Sequence, residues 1–315
     1  MKRILFSILS VLLLLSLSAA QAAQPRIGVA WVSDAGWESC LNACVAIEEA
    51  GGAAVLLAQV KSTDLPEDET LWADENNMLK AEYAALVRRS GTSHSNAAEA
   101  LQEVCAVVFT GGEDVSPTLY AQPEAWHGIQ EETSYHAARD VSDYLLMMHC
   151  VENDVPVLAL CRGMQMMAVA SGASLMQDLP SQFPALRGAH RADKTQPVAY
   201  RDYAAHDVHV VLGSLLHGIA GSSRLANVPS LHHQAVKSVE GTPLRVSGTA
   251  DLCGVETIEA VERTDCTFAL GVQFHPEAAA AKHLYGASDA EEYLSYEQAL
   301  AFFQAIVQHS EQSGV

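Results

Sequence analysis

Short apolar runs alternate with longer amphipathic stretches along this chain. The run Arg26–Val32 reads as a strand, and Ser39–Ala50, which Gly51-Gly52 stops, as a helix. Ala53–Val60 is again strand-like. This βαβ opening implies parallel pairing and a layered α/β fold. Lys61–Glu75 is polar, acidic and carries Pro66, so it reads as an exposed loop. Asn76–Arg89 has amphipathic helical spacing, and Ser90–Asn96 is turn-like. The segment 61–96 thus looks like a solvated insertion or a lid. Val104–Phe109 is a strong strand, Ser134–Val151 a long helix and Val157–Leu160 a short apolar strand. Met164–Val169 is rich in helix formers, and Ser171–Gln177 is a short strand. Further on, Gln196–Tyr200 and Val208–Leu212 alternate as antiparallel strands do. Leu244–Thr249, Glu256–Glu262 and Phe268–Phe274 read as a meander, and Glu291–His309 as a closing helix.

The first residues change the picture. Met1-Lys2-Arg3 is basic, Ile4–Leu17 is apolar apart from serines, and Ser18–Ala23 supplies small residues in an A-x-A arrangement. Residues 1–22 therefore read as a secretory signal peptide, cleaved after Ala22 or Ala23. The run is shorter than the ~20 residues that span a bilayer, so no stable membrane anchor is expected. The exported protein would be periplasmic or extracellular, and residues 23–315 would form one domain. A formal charge of -20 makes nucleic acid a poor partner. Seven cysteines in an exported chain leave at least one thiol unpaired.

One cysteine sits where chemistry would need it. Cys161 ends the Val157–Leu160 strand, and Arg162-Gly163 opens the next helix. A helix N-terminus presents free N–H groups and partial positive charge, which favour a thiolate nucleophile. A nucleophile needs a base, and the base an orienter. His275 follows a strand end, Pro276 stiffens the turn, and Glu277 can return to the imidazole. Backbone amides of Gly112, in the glycine pair that ends the Val104–Phe109 strand, and of Arg162 can receive an oxyanion. The chain has thirteen histidines, so a histidine near a carboxylate is expected by chance; order and context carry the assignment. The pairs His206/His209 and His232/His233 lack carboxylate or cysteine partners at a recognisable ligand spacing, so neither metal nor cofactor is expected.

Leu160-Cys161-Arg162-Gly163-Met164-Gln165, together with Gly271-Val272-Gln273-Phe274-His275-Pro276-Glu277, resembles the class I glutamine amidotransferase superfamily. Gly111-Gly112-Glu113-Asp114-Val115-Ser116-Pro117-Thr118-Leu119-Tyr120 and Ser230-Leu231-His232-His233-Gln234-Ala235-Val236-Lys237 narrow the resemblance to the γ-glutamyl-γ-aminobutyrate hydrolase group, a branch of the γ-glutamyl hydrolase-like cysteine peptidases. The resemblance runs from about Pro25 to the C-terminus. It implies a flavodoxin-like three-layer α/β/α sandwich with a central, mostly parallel sheet. It also implies a Cys161-His275-Glu277 triad, an oxyanion hole from Gly112 and Arg162, and a γ-glutamyl thioester intermediate. Gln165, His232 and His233 would line the substrate pocket, although the two histidines can equally brace the meander. The chain departs from the group at Ala159, often glycine, at Asp143, often glutamate, in a longer 61–96 segment, and in its leader.

The resemblance implies a small-molecule γ-glutamyl substrate and leaves a homodimer open. Two other readings compete. One is a glutaminase subunit feeding ammonia to a synthetase, of which nothing in the chain is reminiscent. The other is a non-catalytic γ-glutamyl-binding protein on the same fold.

Overall fold

Residues 24–127, 134–192 and 203–312 are described by the computed structural model. The leader expected at residues 1–22 and the strand expected at Gln196–Tyr200 lie outside them. In chain order the strands and helices are β1 (Arg26–Val29), α1 (Trp37–Glu49), β2 (Ala53–Leu56), α2 (Ala81–Ser90), α3 (Ala97–Ala100), β3 (Ala106–Phe109), α4 (Ala137–Glu152), β4 (Val157–Leu160) and α5 (Arg162–Ala170). They continue with β5 (Leu175–Met176), α6 (Leu179–Gln182), β6 (Ala204–Val210), α7 (Leu215–Ala220), β7 (Arg224–Ser230), β8 (Ala235–Val236), β9 (Leu244–Leu252), β10 (Val255–Arg263), β11 (Ala269–Val272), α8 (Pro276–Leu284) and α9 (Tyr296–Gln312).

All eleven strands belong to one sheet, ordered β2-β1-β3-β4-β11-β10-β9-β6-β7, with β8 and β5 branching from β10. The first five in that order pair in parallel. This is the doubly wound flavodoxin-like order. The remaining strands pair antiparallel and extend the sheet from β10 outward.

The parallel strands read as unbroken apolar runs because both their faces are covered. Val107, Phe109, Val157 and Ala159 point into a cluster with α4 and α5. Their neighbours Ala106, Val108, Leu158 and Leu160 point to the other face, against α1 and α9. Fully burying each Val or Leu contributes about 1.5–3 kcal/mol. Helices on both faces of the sheet give the three layers.

Two expectations need correction. Strand Ala53–Val60 is shorter than its apolar run, because Val60 leaves the ladder and its N–H bonds Ser142 Oγ on α4 at 2.9 Å. The expected meander is present, since β9, β10 and β11 are successive antiparallel neighbours; β11 also pairs in parallel with β4, so the chain returns to the core. The 61–75 stretch is not a solvated loop. Leu65 and Trp72 are buried in the cluster with α4, and Trp72 Nε1 donates to Pro66 O at 2.9 Å. The same segment clasps the loop after β3: Leu79 N–H donates to Ser116 Oγ at 3.0 Å and Thr118 Oγ1 to Leu79 O at 2.5 Å. Strand β7 and helices α7 and α8 had no clear signal in the apolar pattern.

This anchoring predicts a large cost for Trp72→Ala, about 3–5 kcal/mol, measurable as a lowered urea-unfolding midpoint. A change below about 0.5 kcal/mol would restore the solvated-loop reading.

Candidate active site

The parallel register sets the position of the cysteine. Leu160 lies opposite Val272, and the Cys161 N–H donates to Val272 O at 2.8 Å. The Cys161 carbonyl accepts from Gln165 N–H at 3.1 Å, so both sides of the residue are held. Between them the backbone is forced to φ +50°, ψ -106°. A non-glycine residue there stores on the order of 1–3 kcal/mol of strain. The helix start presses against the end of β3: a Cβ on Gly163 would lie 2.6 Å from Phe109 O. Cys161 is buried; Gln273 Nε2 donates to its sulfur at 3.6 Å, and the sulfur in turn donates to Leu231 O at 3.8 Å.

The imidazole arrives from the neighbouring strand. β11 ends at Val272, and His275 is the residue before α8, its N–H bonded to Pro229 O at 2.9 Å. Pro276 occupies the first helical turn, where no N–H is needed. One turn of helix brings Glu277 back, and His275 Nδ1 donates to Glu277 Oε1 at 2.7 Å. Burial is the strongest influence on His275 and opposes its charge. Glu277 and then Cys161 outweigh it, and the ring is held well above its ordinary pKa. The cysteine therefore lies within electrostatic reach of the ring. His275 Nε2, the nitrogen not used by Glu277, has no hydrogen-bond partner among the described residues.

Ser39 on α1 was missed. Its hydroxyl donates to Glu277 Oε1 at 2.7 Å and accepts from Gly111 N–H at 3.0 Å. It thereby ties the glycine loop to the carboxylate that orients His275. No local motif marks Ser39; only the packing of α1 against α8 places it there.

The glycine loop sits on buried charge. Gly112 adopts φ +146°, and a Cβ there would collide with the Arg139 guanidinium. Arg139 donates to Gly111 O at 2.8 Å and to Glu113 Oε2 at 2.6 Å. Arg162 pairs with Asp140 at 2.7 Å and with Asp143. These two arginines and three acids are buried. Burial pushes Asp140 up to about 6 against the pull of Arg162, and it raises Asp143 likewise. The network joins the β3 loop, α4 and the first turn of α5. It places the Gly112 and Arg162 amides at neighbouring strand ends.

The expected pocket residues behave differently. Gln165 is buried and donates to Gln234 O at 3.1 Å and to Gln273 Oε1 at 3.2 Å. His233 donates from both ring nitrogens, to Asp178 Oδ1 at 3.0 Å and Asp114 Oδ1 at 2.8 Å. Burial disfavours its charge, but these two carboxylates raise it to about 9. His232 Nδ1 donates to Gln234 O at 2.9 Å, and its Nε2 faces Glu259. His233 is held by protein partners at both ring nitrogens, and His232 at Nδ1 alone. The histidine pairs do not act as pairs either: His209 is exposed, while His206 and His232 join His190 and Glu259 in one buried cluster.

The Peptidase C26 family matches residues 60–277, well over half of the chain. NtpR of Enterococcus hirae is 32% identical over 190 residues, covering 59% of this chain and 72% of that protein. Gamma-glutamyl-gamma-aminobutyrate hydrolase PuuD of Escherichia coli K12 is 33% identical over 156 residues, 50% of this chain. The match spans only 59% of that enzyme's length. Among solved structures, a glutamine amidotransferase from Thermotoga maritima aligns over 93% of this chain and 96% of its own, at 13% identity and a TM-score of 0.44. By the extent of the family match, the chain belongs to the Peptidase C26 family, within the class I glutamine amidotransferase-like superfamily.

Proposed function

We propose that this protein hydrolyses γ-glutamyl amide bonds through Cys161, His275 and Glu277. The observation that carries this reading is a cysteine held at φ +50° on a helix N-terminus, within electrostatic reach of an imidazole clasped by a carboxylate at 2.7 Å. Family membership and the likeness to the Escherichia coli hydrolase support it.

In the first half-reaction the Cys161 thiolate adds to the γ-carbonyl carbon. The carbonyl π electrons move to oxygen, where the Gly112 and Arg162 N–H groups receive the negative charge. The intermediate collapses, the C–N bond breaks, and the leaving nitrogen takes the proton carried by His275. A γ-glutamyl thioester and a free amine result. In the second half-reaction His275 removes a proton from water, whose oxygen attacks the thioester carbon. Expulsion of the thiolate gives glutamate and restores the imidazolium. Glu277, fixed by Ser39, keeps Nδ1 protonated and Nε2 available throughout.

The leader-like residues 1–22 support export, which would present the site with γ-glutamyl peptides and amides outside the cytoplasm. N-terminal sequencing of the exported fraction is expected to begin at residue 23 or 24. Retention of Met1 would remove the export reading.

Iodoacetamide should label Cys161 and stop release of amine from γ-glutamyl-GABA, glutamine or oligo-γ-glutamate. His275→Ala should lower kcat by about a hundredfold or more with little change in KM. Full activity in Cys161→Ser, or a pure KM effect in His275→Ala, would defeat the mechanism.

The His233 clamp makes stability pH-dependent, because it holds Asp114, two residues beyond Gly112. Its folded pKa of about 9 lies above the unfolded value of ~6.5. The stabilisation is complete below pH ~6.5 and is lost as pH rises through about 9, on the order of 3 kcal/mol. Urea midpoints of the wild type should fall over that window, and His233→Gln should lose most of the slope. Parallel curves for the two proteins would show that the clamp does not titrate.

A further inference from the structure

The antiparallel extension encloses a second constellation that the proposed reaction does not use. His206 comes from β6, Glu259 from β10, His232 from the link between β7 and β8, and His190 from the loop after α6. One ligand atom from each lies within 4.8 Å of the other three. All four side chains are buried, Glu259 completely.

Hydrogen bonding sets the cluster apart. His232 Nδ1 donates to Gln234 O at 2.9 Å, and His206 Nδ1 donates to Asp207 O at 3.3 Å. Each bond fixes the proton on Nδ1 and leaves the Nε2 lone pair bare, as a backbone carbonyl does for a metal-bound imidazole. Those two bare nitrogens lie 3.8 and 3.7 Å from Glu259 Oε2, and His190 Nδ1 lies 3.4 Å from Oε1. These separations are too long for hydrogen bonds. The Nε2 atoms of His206 and His232, both ring nitrogens of His190 and Glu259 Oε2 have no hydrogen-bond partner among the described residues. Each such atom left dry costs about 1–3 kcal/mol. Two lone pairs turned toward a carboxylate oxygen repel unless a proton or a metal cation stands between them. A tetrahedral ion with bonds of 2.0–2.1 Å holds its donors about 3.3 Å apart, close to the shortest separations here. The His190 ring packs against both other imidazoles, with centroids 4.9 and 4.7 Å away, as donors converging on one point would.

We propose that His190, His206, His232 and Glu259 bind one divalent first-row transition-metal ion, with zinc as the best fit to three imidazoles and a carboxylate. Four protein donors complete a tetrahedral shell, so the site is closed and structural. It bolts together four segments remote in sequence. Two lead directly to the nucleophile. His232 follows Leu231, whose carbonyl faces the Cys161 sulfur at 3.8 Å. The Glu259 carbonyl accepts from Gln273 N–H at 2.8 Å, and Gln273 Nε2 donates to the same sulfur at 3.6 Å.

The test is elemental analysis of the full chain, purified after expression with added Zn(II), Mn(II) and Fe(II). About one equivalent of a single transition metal per chain is expected. Exhaustive chelation should lower the melting temperature by several degrees, and Zn(II) should restore it. Glu259→Gln and His206→Gln should each weaken Zn(II) binding by at least about tenfold, read by competition with a chromogenic chelator. The proposal fails if the wild type holds less than about a tenth of an equivalent and melts identically with and without Zn(II), Mn(II), Co(II) or Fe(II). It fails equally if both variants retain a full equivalent. Should the variants not fold, the wild-type content and melting shift decide.

Discussion

The site depends on the parallel register of β3, β4 and β11. Phe109 lies opposite Ala159, and Leu160 opposite Val272, so the glycine loop, the cysteine and the segment leading to His275 leave the sheet side by side. In a strand, a slip of one residue turns every side chain to the other face. Here both faces are packed, so a slip would also mismatch Val107 and Phe109 with the α4–α5 layer. Core packing therefore fixes the register, and the register fixes the spacing of the glycine loop, Cys161 and His275. The strain at Cys161 follows: β11 fixes the N–H, α5 fixes the carbonyl, and the residue between has only the elbow conformation left.

Buried charge under the glycine loop works to the same end. Arg139 and Arg162 face Glu113, Asp140 and Asp143 with almost no solvent contact. Such networks contribute little net stability, because desolvation consumes most of the Coulomb gain, but stranding one partner is costly. The benefit is geometric. Arg139 fills the space a side chain at position 112 would take, and it grips the Gly111 carbonyl. Arg162 uses its backbone for the elbow and its side chain to lock α5 to α4. Asp143 pairs with the Arg162 side chain from α4.

The parallel core was legible in the sequence because burial on both faces leaves continuous apolar runs, as in Val157–Leu160 and Val104–Phe109. Cys161, His275 and Glu277 were legible for a related reason: each lies next to a strand end whose position the apolar run gives. What stayed hidden acts across long separations. Ser39 and Glu277 are 238 residues apart, and nothing local to either announces the bond. His190, His206, His232 and Glu259 are spread over four segments, so spacing rules suited to compact metal motifs pass over them. Trp72 was hidden by its polar neighbours, since one large buried side chain can anchor an otherwise hydrophilic loop. The antiparallel edge was blurred because β6 and β7 alternate only in part, and one face of each is wet.

Residues 231–234 carry much of what joins the two halves of the sheet. The Leu231 carbonyl faces the Cys161 sulfur, His232 enters the buried cluster, and His233 spans Asp114 and Asp178. The Gln234 carbonyl accepts from Gln165 and from His232, while its side chain accepts from Val115 N–H at 3.0 Å. Four consecutive residues thus touch the elbow, the glycine loop, α6 and β10. These contacts brace the segment between the elbow and the antiparallel extension. The antiparallel extension acts as the frame that keeps the far wall of the surroundings of Cys161 in place.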